Sequence, residues 1–114
     1  MDLRVKVQDG IWIVYLTGKL DVFLSIEAEK EFNRLVDEGA TKIIVNMESL
    51  TFLSSSGLRV FIALLKKIGA RKGQLLFCSP PETVKKVFQM VELGDLFCIC
   101  ENEDAALVRC REPD

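Results

Sequence analysis

The chain has 114 residues, 49% of them hydrophobic, and its 15 Lys and Arg against 17 Asp and Glu leave a formal charge of -2. That length and apolar share suit one packed domain of roughly 100–150 residues with a single core; the scattered, nearly balanced charge argues against nucleic acid as a partner, and apolar stretches well short of the ~20 residues that span a bilayer argue against a membrane. Histidine is absent altogether, which removes the usual general base of Ser-His and Cys-His sites and the commonest metal ligand, so no catalytic residue, metal site or cofactor is expected.

Leu3 to Val7 alternates apolar and polar residues, and after Asp9-Gly10 the run Ile11 to Leu16 is rich in β-branched and aromatic residues. Two strands joined by a tight turn are expected there. From about Val22 to Glu38 the spacing turns helical, with Ala28, Phe32, Leu35 and Val36 on one face and Gly39 as a left-handed end. Lys42 to Met47 reads as a central strand around Ile43-Ile44-Val45, and a second helix is expected from Ser55 to Ile68. That helix carries Leu58, Phe61, Ile62, Leu65 and Ile68 on one stripe, and Val60, Ala63 and Leu64 widen it enough to leave self-association open.

Gln74 to Cys78 reads as another strand. Ser79-Pro80-Pro81-Glu82 then predicts a helix start with Ser79 as N-cap, Pro80 first and Glu82 third. That helix presents Val84, Val87, Phe88 and Val91; Gly94 closes it, Leu96 to Cys100 forms a last strand, and a short helix spans Asp104 to Cys110. The order β-β-α-β-α-β-α-β-α describes an α/β fold, parallel after an antiparallel hairpin. Cys78, Cys98, Cys100 and Cys110 lack C-x-x-C spacing, and Cys98 and Cys100 share one strand face. Reduced core thiols are the first reading, ahead of a zinc site or a disulfide.

The segment Asn46 to Leu58 joins a buried strand to the most apolar helix and sets Ser54, Ser55 and Ser56 at that helix's N-terminus. Unpaired N–H groups there can be capped by a serine hydroxyl or can face a phosphate carried by one. Asp21 reads equally as the N-cap of the first helix, and Arg59 as a solvated charge or as part of a surface shared with the serines.

An aliphatic strand ending in Asn46, followed by Phe52, Ser55, Gly57 and Leu58, resembles the STAS family signature, in which Asp-Ser-Ser-Gly-Leu or a close variant opens a helix. Leu16-Thr17-Gly18-Lys19-Leu20-Asp21 is similar to the family's Gly-x-Leu-Asp segment, here read as a turn at Gly18, and the resemblance runs on through the strand after Gly73 to Glu103-Asp104-Ala105-Ala106-Leu107. It implies a single STAS-like domain over residues 1–114, a mixed sheet with its helices packed mainly on one face.

The anti-sigma factor antagonists of that family imply a bacterial, cytoplasmic protein-binding switch that is not itself an enzyme; Met1-Asp2-Leu3-Arg4 does not open a signal peptide. In them an anti-sigma factor that is also a serine kinase phosphorylates the serine after the Asp, here Ser55, with Ser54 and Ser56 as alternative acceptors. The unmodified antagonist holds the anti-sigma factor and frees a sigma factor, and a phosphoserine phosphatase restores it. The resemblance places Asp21 near the serine turn of Ser54, Ser55, Ser56 and Gly57 on the partner-binding surface, and Arg59, which projects from the second helix between apolar positions, is a candidate for the same surface. Ser54 stands where the family usually has Asp, which supports a second reading: a constitutive, non-phosphorylated STAS interaction module in a sensory or lipid-transport assembly.

Overall fold

The structure, a computed structural model, describes residues 3–91 and 96–111. Asp9 and Gly10 both take positive φ, 52° and 76°, the backbone of a two-residue hairpin turn whose twist matches the flanking strands. They join β1 (Leu3–Gln8) to β2 (Ile11–Leu20) as an antiparallel pair. Next come α1 (Val22–Asp37), β3 (Lys42–Leu53), α2 (Ser55–Ala70), β4 (Gln74–Cys78), α3 (Glu82–Met90), β5 (Cys98–Cys100) and α4 (Glu103–Arg111). The sheet order is β1-β2-β3-β4-β5, with every neighbouring pair after the hairpin parallel.

Side chains alternate across the sheet, so each central strand feeds two cores. Val14 and Leu16 of β2, Ile43, Val45 and Met47 of β3, and Leu75 and Phe77 of β4 pack in one cluster with Ala28, Phe32 and Leu35 of α1, Phe61, Leu64 and Ile68 of α2, and Val84 and Phe88 of α3. Phe61, Phe77, Phe88 and Phe97 meet in that layer at ring separations of 4.9 to 6.2 Å. The opposite face is thinner: Ile11, Ile13, Ile44, Leu76 and Cys78 lie under Ala106, Leu107 and Cys110 of α4. Three helices on one face and one on the other is the arrangement the resemblance implies.

Five details depart from the sequence reading. Gly18 is no turn: it lies inside β2 at φ 89°, beside shifts in the β2–β3 register, where glycine relieves the strain of a bulge. β3 continues past Met47 to Leu53, so the expected loop is mostly strand. Pro81, not Ser79, occupies the N-cap of α3, which has no side-chain cap, and Glu82 is the first helical residue; Ser79 instead takes a left-handed φ of 57°. In α2, Val60 and Leu64 are buried with Leu58, Phe61 and Ile68, whereas Ile62 and Leu65, expected on the stripe, are half-buried. The last strand is confined to Cys98–Cys100, and Gly94 lies outside the described residues.

Candidate functional site

The register shifts have a specific result. β2 and β3 run side by side to their last residues, where Leu20 pairs with Leu53. The next residue of each strand, Asp21 and Ser54, is the N-cap of the helix that follows. Two helix N-termini therefore open side by side at one end of the sheet, each contributing unpaired N–H groups and a partial positive charge.

Asp21 accepts a hydrogen bond from Leu24 N at 3.0 Å. Ser54 makes a denser set: its Oγ accepts from Gly57 N at 3.1 Å and donates to the Leu20 carbonyl at 2.6 Å, while its own N–H donates to the same carbonyl at 3.0 Å. The Asp21 segment and the serine turn are thus tied together through Leu20. Ser54 and Ser56 are half-buried, whereas Ser55 is exposed. Gly57 is buried: a Cβ there would come within 2.7 Å of Leu20 and 2.9 Å of Leu53. Its part in the site is to let α2 start close against the two strand ends. Arg59 is exposed on the first turns of α2.

Between the two helices runs a groove of about 200 Å³, lined by Val22, Ser25, Ile26 and Glu29 of α1 and by Ser56, Arg59 and Val60 of α2. Ser25 is 3% exposed, and its hydroxyl has no hydrogen-bond partner among the described residues. Apolar side chains crowd the same region. Val22 and Ile26 are about half exposed, Phe23 is 80% exposed, and Phe52, two residues before Ser54, is 49% exposed. The sequence reading missed Val22, Phe23 and Ile26 as surface residues. Their signal was apolar side chains lying off the stripe that carries Ala28, Phe32 and Leu35.

A family model for the STAS domain matches residues 2–106. The chain belongs to the STAS domain family. This STAS domain is 25% identical over 104 residues to the anti-sigma-B factor antagonist of Staphylococcus aureus, across 91% of this chain and 96% of that protein. It is similar to SpoIIAA in its unphosphorylated form, at 25% identity and a TM-score of 0.77, covering 97% of this chain and 99% of that one. It is also similar to the Bacillus cell fate determinant SpoIIAA in its phosphorylated form, at 28% identity and a TM-score of 0.75 over 96% and 99% of the two chains. A crystal structure from Thermotoga maritima, 22% identical with a TM-score of 0.91 over 96% and 95%, shares the fold. Among the described residues of the STAS domain, no helix is long and apolar enough to cross a membrane, and no group of three or more His, Cys, Asp or Glu could hold a metal ion.

Proposed function

We propose that this STAS domain is an anti-sigma factor antagonist, docking an anti-sigma factor on the paired N-terminal ends of α1 and α2 and released from it by phosphorylation of Ser55. The observation that carries the reading is the exposed Ser55 at the start of α2, directly after the Ser54 N-cap that lies beside the Asp21 N-cap, with Val22, Phe23, Ile26 and Phe52 exposed at the same end of the sheet. Exposed aromatic and aliphatic side chains around a polar centre suit a surface that a partner covers. Relatives named as anti-sigma factor antagonists, and SpoIIAA seen in both phosphorylation states, support the same assignment.

In this cycle the domain is substrate and ligand, while the kinase partner binds ATP and a phosphoserine phosphatase resets it. A phosphate adds about 1.5 to 2 negative charges. Sealing it under a partner costs several kcal/mol per unpaired ion, comparable with the ~5.5 kcal/mol that inverts a 1:99 equilibrium. The α2 N-terminus repays only about 0.3–1 kcal/mol of that. Release therefore comes from local blockade, with no refolding of the domain.

The test is to incubate the protein with its kinase anti-sigma factor and ATP and to map phosphate by mass spectrometry. Modification at Ser55 is expected, and an absence of phosphate from Ser54, Ser55 and Ser56 would defeat the switch. Ser55→Glu should weaken partner binding at least tenfold, about 1.4 kcal/mol, and leave the circular dichroism spectrum unchanged. The presence of Ser54 where the family usually has Asp favours a second reading, a constitutive interaction module; unchanged affinity in Ser55→Glu would select it.

A further inference from the structure

All four cysteines gather under α4, on the face of the sheet away from α1, α2 and α3, and all four are free thiols. Cys78 ends β4 and is fully buried. Cys100 ends β5, is half-buried, and is the register partner of Cys78. Cys98 stands two residues back on the same face, and Cys110 packs into the cluster from α4. Register partners on neighbouring strands have Cα atoms about 4.8 Å apart, inside the roughly 4.4–6.8 Å that a disulfide bridges and near its short end. Cys98 and Cys100, two residues apart along one strand, bring their thiols into contact, but their Cα atoms are set about 6.6 Å apart, at the outer limit of that range.

We propose that Cys78 and Cys100 form a peroxide-sensitive dithiol site that closes into a cross-strand disulfide pinning β5 to β4. The half-buried Cys100 meets the oxidant, and the buried Cys78 resolves the product. The Cys100 thiolate attacks one oxygen of hydrogen peroxide, the O–O bond breaks, and Cys100 becomes a sulfenic acid as hydroxide leaves. Cys78 sulfur then attacks the Cys100 sulfur, the S–O bond breaks, and a second hydroxide leaves. With the two thiol protons the sum is two thiols and one peroxide giving one disulfide and two waters. Burial lifts Cys78 to about 11 and also raises Cys100. The small thiolate fraction of Cys100 then sets the pace, so closure is slow and needs sustained oxidant.

β5 has three residues and, among the described residues, pairs only with β4. The bond would turn this weakest edge of the sheet into a covalent one and enclose α3 in the loop it closes. The site lies outside the proposed partner surface and does not depend on that reading.

The experiment treats the full chain with excess hydrogen peroxide, alkylates the remaining thiols, and maps peptides without reduction. Expected are a monomer lighter by two hydrogens, alkylated thiols falling from four to two, and a Cys78–Cys100 link. The thermal midpoint should rise by about 5 °C or more and return to its starting value on reduction. Cys98→Ala and Cys110→Ala should keep the link; Cys100→Ala, at a half-buried position that tolerates the change, should lose it. Four alkylated thiols after oxidation, bonds only between chains, a bond from Cys98 to Cys100, or an intramolecular disulfide that forms just as readily in Cys100→Ala would each overturn the proposal.

Discussion

Ser54 is bonded twice to the Leu20 carbonyl, through its N–H at 3.0 Å and its hydroxyl at 2.6 Å, while the same hydroxyl oxygen accepts from Gly57 N. One side chain thus caps α2 and stitches the end of β3 to the end of β2. An Asp at this position could accept from Gly57 N but could not donate to Leu20, so serine does here what the family's usual carboxylate cannot. Ser54→Ala should destabilise the domain by about 1–3 kcal/mol, combining a lost cap with a lost bond to a part-buried carbonyl. Ser54→Asp, which keeps the cap, should cost less. Urea unfolding of the three proteins checks the order, and an alanine variant as stable as the parent would refute it.

The two glycines that start or follow α2 should differ in their tolerance of a methyl group. At Gly57 a Cβ meets the buried side chains of Leu20 and Leu53 at 2.7 to 2.9 Å. Overpacking of about 1–3 kcal/mol then outweighs the helix propensity gain of up to about 1 kcal/mol, so Gly57→Ala is destabilising on balance. At Gly73 a Cβ falls 2.2 Å from the Thr41 carbonyl oxygen, which also accepts from Gln74 N at 2.7 Å. Backbone cannot step aside as a leucine can. Gly73→Ala should therefore cost more, about 2–4 kcal/mol, from strain and a weakened β3–β4 entry. Denaturant midpoints in the reverse order would contradict the packing described.

These positions also mark where sequence patterns ran out. The hairpin, the α1 stripe and the strand around Ile43-Ile44-Val45 were legible because each keeps a single period over its length. The second half of β3 was not: its buried residues are Met47, Leu50 and Leu53, a spacing of three that matches no strand template. The shifts against β2 create that spacing, and a shift depends on the neighbouring strand, which local pattern does not contain. The serine turn and Asp21 were recognisable from their motif and from N-cap preference. The apolar rim was hidden because Val22, Phe23 and Leu24 are consecutive and only Leu24 turns inward. Ser79 failed as a cap because it departs into left-handed backbone and hands the N-cap position to Pro81.

The rim has its own test. Phe23 is 80% exposed, so Phe23→Ala should shift folding stability by no more than about 0.5 kcal/mol. If a partner covers this surface, the same change should weaken binding at least tenfold, in the range of a central aromatic contact, about 2 kcal/mol. Calorimetric titration with the anti-sigma factor, paired with a urea melt, separates the two effects. Full affinity in the variant would place the docking surface elsewhere.

Tyr15 offers a readout on the other face of the sheet. It is the chain's single tyrosine, pairs in register with Asn46, and shares its surroundings with Glu103, which accepts from Asn46 Nδ2 at 3.1 Å. The Arg4 guanidinium sits 4.9 Å from the ring centroid. Burial first, and the Glu103 carboxylate second, push the phenol up to about 12 against an ordinary value of 10.0, with Arg4 opposing. The folded state therefore holds this proton more tightly than the unfolded chain does. Its contribution to stability is complete below pH 10 and is lost as pH rises from about 10 to about 12. Near-ultraviolet tyrosinate absorbance should titrate well above pH 10 in the native protein. Glu103→Gln, which keeps an acceptor for Asn46 but removes the charge, should move that midpoint down without returning it fully, because burial remains. A native midpoint at the ordinary value would show that Tyr15 is not desolvated beside Glu103.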